Sequence, residues 1–196
     1  MALIKSALEL ALEKTKDIQG DKTSLLARSY KEEGMKLFHQ LSENADLDIE
    51  KRLQEFSEEQ LTSVREGLFT VVMNRIQLPS SELATADLLP IERALSALMP
   101  KKKEIKGIKS QLEEFYTRYL EDRDQLHQAI MEQYAPILRQ KEQQLGAQTG
   151  QRVRLTPEQD PEFQGFVKKN VERLDSQYND GINALKEQLE QMFSSL

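Results

Sequence analysis

Two apolar seams at the spacing of paired helices limit this chain more than anything else in its sequence. Ile105, Ile108, Leu112, Phe115 and Tyr119 step by 3, 4, 3 and 4 residues. After Asp122 the stripe continues through Leu126, Ile130, Tyr134 and Ile137. Such a repeat turns one narrow face of a helix toward a partner helix. A second seam follows in Val167, Val171, Leu174, Tyr178, Ile182, Leu185, Leu189 and Met192. The turn-rich segment 148–156 stands between the two. Two long helical stretches flanking one short turn predict an antiparallel helical hairpin over residues 100–196.

Three local features qualify that hairpin. Pro136 lies in the last third of the first stretch and should bend it, because proline lacks the N–H that a helix interior needs. Asn179-Asp180-Gly181 in isolation signals a hairpin turn. It falls, however, in the 11-residue interval from Val171 to Ile182, a stutter in an otherwise unbroken helical period. A weakened helix is therefore expected there. Thr156-Pro157 and Asp160-Pro161 are two successive helix-start signals, each a capping residue followed by proline at the first helical position.

The first half, residues 1–99, reads as a small helical bundle. Leu3, Ile4, Ala7, Leu8, Ala11, Leu12 and Thr15 repeat at helical spacing, and Gln19-Gly20-Asp21 reads as a stop followed by a cap. A second helix is expected from about Thr23 to Leu41, with Leu26, Tyr30, Leu37, Phe38 and Leu41 on its apolar face, broken at Asn44-Ala45-Asp46. A short helix follows around Ile49, Leu53 and Phe56. Ser57 and Gln60 have the form of a capping box. They open the most hydrophobic helix of the chain, with Leu61, Val64, Leu68, Val71, Val72 and Ile76. The loop Leu78-Pro79-Ser80-Ser81 ends it. Pro90 should divide residues 82–99 into two short helical pieces.

Composition agrees with thin helical layers. Apolar residues make up 38% of the chain and charged residues 31%, too polar for a thick core yet too rich in Leu, Ile, Val and Phe for disorder. The net charge of −6 argues against general affinity for nucleic acid or an anionic membrane surface. The absence of cysteine removes disulfide and thiolate chemistry and fits a reducing compartment. Glu9 and Glu13 interrupt the only early apolar run, so no signal peptide is expected. No run approaches the ~18 apolar residues of a membrane span. These features together predict a cytoplasmic protein.

Candidate sites are few. Asp124 and His127 share a helix face, but bundle metal centres use such a pair twice, with further carboxylates, and a second copy is missing. They read as a solvated face, and His39 reads as a boundary residue. Glu58-Glu59 and Glu113-Glu114 lack the contrasting environments that separate an acid from a base. No nucleophile elbow, dinucleotide fingerprint or phosphate loop occurs. No catalytic residue, cofactor or metal is expected. Lys101-Lys102-Lys103, with Lys106 and Lys109, is a basic run that could touch a phosphate backbone. It has no interleaved aromatic residues, and Glu104, Glu113 and Glu114 soon offset it. Arg152-Val153-Arg154-Leu155 alternates polar and apolar residues, a short strand signal, at the tip of the hairpin. Tips are where loops display binding groups, so Arg152, Val153, Arg154 and Leu155 are the candidate partner contact.

Two resemblances rest on named residues. Tyr134-Ala135-Pro136-x-Leu138-Arg139-x-Lys141-Glu142, then Gly150-x-Arg152-Val153-Arg154-Leu155 and Asp160-Pro161-Glu162-Phe163, resembles an uncharacterised all-helical bacterial family associated with spirochaetes. The opening Ile4-Lys5-Ser6-Ala7-Leu8-Glu9-x-Ala11-Leu12-Glu13-Lys14-Thr15 is similar to the same family. This resemblance implies an all-helical fold and no particular activity. A local one joins Leu145-x5-Gln151-x-Val153-x-Leu155 and Asp160-Pro161-x-Phe163 to the late segment of the peripheral-stalk (delta) subunit of ATP synthases. It implies a glycine-bearing turn and a short strand before the Asp-Pro. That subunit continues in strands, whereas residues 166–193 here have a helical period.

The expectation is an all-α, non-enzymatic scaffold or adaptor that engages a protein partner, with a homo-oligomer left open. A peripheral-stalk-like role is one alternative. A nucleic-acid or charged-surface module using Lys101–Lys109 is another.

Overall fold

In a computed structural model, residues 7–81, 88–152 and 154–196 are described, with side chains from residue 23 onward. The described residues are helical, with no strand among them: α1 (Ala7–Glu43), α2 (Ile49–Gln54), α3 (Glu58–Arg75), α4 (Leu88–Leu98), α5 (Lys102–Thr149) and α6 (Pro161–Ser194). The chain is all-α. It divides into two compact units. One lies within Met1–Arg75 and Leu89–Ile105, the other within Ile76–Leu88 and Lys106–Leu196.

The first unit is organised by a backbone contact that the hydrophobic pattern does not reveal. A Cβ at Gly34 would stand 2.0 Å from the Val64 carbonyl oxygen, and one at Gly67 would stand 2.0 Å from that of Lys31. Each glycine thus lies against the residue three positions before the other, and α1 and α3 touch main chain to main chain. Only glycine permits that approach. Around it Leu37, Phe38, Leu41, Val64, Leu68 and Val72 are buried. Gln60 joins the same pair of helices at the start of α3. Its side-chain oxygen accepts from the Ser57 N–H at 3.2 Å, the expected half of a capping box, and its amide nitrogen donates to the Tyr30 hydroxyl at 2.7 Å. Asp48 caps α2 through the Lys51 N–H. Arg93 and Arg65 satisfy the Leu47 and Leu98 carbonyls at 2.6 and 2.7 Å.

Three expectations for this half are corrected. Helix α1 runs through Gln19-Gly20-Asp21 without a stop. An interior glycine costs a helix only about 1 kcal/mol, a weak signal beside proline's ~3. Leu26 is 57% exposed rather than part of the apolar face, and residues 23–29 are all exposed. Pro90 does not interrupt α4. It occupies the third position of α4, within the first turn, where a backbone N–H has no intrahelical partner to lose. The first of the two pieces expected around Pro90 falls largely on residues 82–87, outside the described residues.

In the second unit α5 and α6 pair through contacts whose numbering rises on one helix as it falls on the other. Phe115 meets Gly181, Tyr119 meets Asp175, Tyr134 meets Phe163, and Lys141 meets Glu162. The two helices are therefore antiparallel. The return seam is half-buried or buried at every expected position from Val167 to Met192, and α6 is helical across Asn179-Asp180-Gly181, as its period predicts. Gly181 is where the Phe115 ring comes closest: a Cβ there would meet it at 2.9 Å.

The polar interruption of the first seam has a structural reason. Asp122 accepts a short hydrogen bond from the Tyr178 hydroxyl, and Tyr119 donates to Asp175 at 2.7 Å. Each helix supplies one tyrosine and one aspartate, crossed over. Both rings of this pair lie 5.1 Å apart, and Phe115 stacks edgewise on Tyr178 at the same distance. Burial, followed by the Asp122 hydrogen bond, pushes the Tyr178 hydroxyl up to about 12.

Helix α5 is unbroken at Pro136. Both Pro136 and Glu132, whose carbonyl loses its partner, are exposed, so water can take the place of the missing bond. The seam itself shifts there. Ile137 is 43% exposed, contrary to expectation, and Leu138 packs on the Ile130–Tyr134–Phe163 cluster instead. The steps from Ile130 through Tyr134 and Leu138 to Lys141 follow the 11-residue period of a straighter helix rather than a heptad. Tyr116, absent from the expected seam, is 2% exposed.

Candidate functional site

The turn joining α5 to α6 is built from short-range signals. Gly150 has φ +67°, a left-handed conformation that glycine enters without a Cβ penalty. Its N–H donates to the Gly146 carbonyl at 3.0 Å, closing the last turn of α5. The alternation there does not make a strand: Arg152, Arg154 and Leu155 have no strand partner, and Val153 lies outside the described residues. The Leu155 N–H donates instead to the Glu142 carboxylate at 2.8 Å. A glutamate from the last turns of α5 thus supplies the acceptor that a neighbouring strand would have supplied.

The two start signals act differently. Thr156-Pro157 opens only a single 3-10 turn, Pro157–Gln159, with the Thr156 N–H bonded to the Gln159 side chain. Asp160 then caps α6 by accepting from the Glu162 N–H at 3.0 Å, with Pro161 in the first helical position.

Asp160 is also the one buried charged residue among the described residues, 8% exposed. Its other oxygen accepts from the Tyr134 hydroxyl at 2.8 Å and from the Lys141 ammonium at 2.6 Å. Lys141 reaches Tyr134 and Glu162 as well and sits 5.7 Å from the centre of the Tyr134 ring. The Lys141 and Tyr134 bonds hold the Asp160 carboxyl below its ordinary range. The Asp160 and Glu162 carboxylates hold the Lys141 ammonium above its own. Burial, then the bond to Asp160, pushes the Tyr134 hydroxyl up. Sequence reasoning placed Asp160 only as a cap. The spacing of Tyr134 and Lys141, two helical turns apart on one face, was the available signal for the rest.

The sequence-chosen residues separate around this anchor. Arg152 and Arg154 are exposed and line an open groove of about 890 Å³ together with Arg139 and Glu142. Leu155 is half-buried and lines a smaller depression, about 330 Å³, with Lys141, Leu145 and Asp160. No cluster of metal-ligating side chains occurs among the described residues. In the basic run, Lys101 pairs with Glu104, Lys102 with Glu50 and Lys109 with Glu113. No helix among the described residues is long and apolar enough to cross a membrane.

With this geometry in view, the sequence matches a family described as a family of unknown function (DUF6657) over residues 50–191, well over half of the chain. The chain belongs to this family. The expected likeness to an uncharacterised helical family is thereby shown, without an organism attached to it. The matched span includes most of α2, all of α3 to α5 and most of α6, and with them the turn, the Asp160 anchor and all three arginines of the groove. No curated protein and no solved structure matches the chain.

Proposed function

We propose that this member of the DUF6657 family is a non-enzymatic, cytoplasmic scaffold or adaptor that engages a protein partner at the turn between α5 and α6. The observation that carries this reading is the display of Arg152 and Arg154. Both are exposed, and neither guanidinium forms an ion pair among the described residues. The turn that bears them is held by Glu142 on one side and by the Asp160 network on the other. Arginine offers a fixed fork of donors and is favoured at protein interfaces, and a pre-ordered turn loses less entropy on binding. The Lys101–Lys109 run supports a nucleic-acid reading less well, because three of its lysines already face carboxylates.

The test is the double variant Arg152→Glu, Arg154→Glu, assayed for helicity by circular dichroism and for stoichiometric capture of a partner identified by mass spectrometry. Exposed loop substitutions shift stability by under ~0.5 kcal/mol, so helicity is expected to hold while capture is lost. Capture at the wild-type level moves the interface elsewhere. Loss of helicity together with capture makes the arginines structural.

A further inference from the structure

The groove beside the turn contains a third arginine that the sequence pattern does not single out. Arg139 stands on α5 with Gln143 and Gly146 following on the same face at helical spacing. Glu142, three residues on from Arg139, is the acidic residue in position to neutralise it. That carboxylate is engaged by the Leu155 N–H instead. Elsewhere along α5 and just before it, Lys101, Lys102, Lys109, Arg118 and Lys141 each pair with a carboxylate, while Lys103 and Lys106 form no ion pair among the described residues and Arg123 donates to the Ser80 carbonyl. Arg139, Arg152 and Arg154 form no ion pair either, among the described residues. A chain of net charge −6 therefore gathers three uncompensated guanidinium groups around one groove of about 890 Å³. That volume is near the upper end of the ~300–1,000 Å³ typical of binding clefts.

Resting on the partner-binding reading above, we propose that this groove binds a short acidic peptide segment of the partner, whose side-chain carboxylates pair with Arg139, Arg152 and Arg154. Gly150 lines the groove with nothing within 4 Å of where a Cβ would stand, so an extended segment can approach the backbone there. The lining also presents an acceptor, Glu142, and the amides of Gln143 and Gln151. A peptide supplies N–H donors for these as well as carboxylates for the arginines. A phosphodiester backbone supplies acceptors alone and leaves Glu142 without a donor. Among the described residues no aromatic ring lines the groove to stack a base, the usual platform for single-stranded nucleic acid.

The experiment is fluorescence anisotropy of the full chain with fluorescein-labelled hexaglutamate, beside labelled hexaglutamine and a labelled twelve-nucleotide oligo-dT. The expected result is salt-sensitive binding of hexaglutamate over hexaglutamine. Arg139→Gln should weaken it by about tenfold, the scale of a lost charge-assisted bond. Lys168→Gln, on the exposed face of α6, should leave it unchanged. Equal binding of the two peptides, or no effect of Arg139→Gln, Arg152→Gln and Arg154→Gln combined, overturns the proposal. Tighter binding of oligo-dT that is lost in the same triple variant assigns the groove to nucleic acid and also overturns it. Arginine-dependent capture of a protein partner without hexaglutamate binding sinks this inference alone. Arginine-independent capture sinks the broader reading.

Discussion

At the residue scale, two glycine positions behave in opposite ways although the sequence presents them alike. Gly34 and Gly107 both occupy helix interiors. A methyl group at Gly34 would run into the Val64 carbonyl, whereas one at Gly107 would meet nothing within 4 Å. Gly34→Ala must push two backbones apart, a form of overpacking that costs typically ~1–3 kcal/mol, only partly offset by the ~1 kcal/mol gain in helix propensity. Gly107→Ala keeps the gain alone. Urea unfolding followed by circular dichroism should therefore show Gly34→Ala lowering the midpoint and Gly107→Ala raising stability by about 0.5–1 kcal/mol. Equal effects of the two would mean that α1 and α3 are not in main-chain contact. Nothing in hydrophobic periodicity distinguishes the pair, because a glycine contributes to a helix face only by what it lets approach.

The same scale explains Asp122. A seam position occupied by a carboxylate looks like a defect in an apolar stripe. It is the acceptor for Tyr178, and the partner hydroxyl lies 56 residues away in the chain, beyond the reach of any local pattern. Tyr178→Phe and Asp122→Ala, measured singly and together, should show a coupling of about 1 kcal/mol, reduced from the value for fully buried charged bonds because Asp122 is half-exposed. Strict additivity would count against the bond.

At the scale of elements, the periods of α5 and α6 are legible and their ends less so. The return seam can be read residue by residue because its apolar positions are Val, Leu, Ile, Tyr and Met with few competitors. Around Pro136 two apolar residues, Ile137 and Leu138, compete for one position, and a heptad reading selects the wrong one. At the turn, alternation suggested a strand where the backbone is satisfied by Glu142 and by glycine geometry. Arg152 and Arg154 were legible as candidates because charge at a turn is visible in sequence. Arg139 was not, because its isolation depends on Glu142 being engaged elsewhere.

The Asp160 network gives this junction a pH signature. The Asp160 carboxyl is depressed below its ordinary 3.8, so its contribution is present above about that value and is lost as pH falls through the lowered one. The Lys141 ammonium is raised above 10.5 and the Tyr134 hydroxyl above 10.0. Their contributions are complete below those ordinary values and are lost as pH rises through the higher ones. Thermal midpoints should therefore be flat across neutral pH and decline at both extremes. Asp160→Asn should flatten some of the acid limb, and Lys141→Met some of the alkaline one. Identical acid limbs in wild type and Asp160→Asn would remove Asp160 from the linkage.

At the scale of the whole molecule, helical periods along nearly the whole chain anticipated the all-α class, and a composition of 38% apolar and 31% charged residues agreed with helices that bury narrow stripes. Far-ultraviolet circular dichroism should accordingly be dominated by helix, and a strand-rich spectrum would contradict the structure. Function was less legible because this chain carries no cofactor motif, and its candidate site is a matter of which charges lack a counter-charge.

The crossed tyrosine–aspartate pairs and the Asp160 network fasten α5 to α6 at two separated points. The stretches between those points, in the vicinity of residues 123–133 and 164–174, are thus locked to one another in length. A single inserted residue in either would rotate everything beyond it by about 100° and pull one fastening or the other out of register. Insertions between Gln151 and Thr156 lie outside both and leave each intact. As far as these two fastenings are concerned, members of the family can therefore vary in length at the turn. Within the paired helices they should change only in compensated blocks of about seven or eleven residues, added to both helices together.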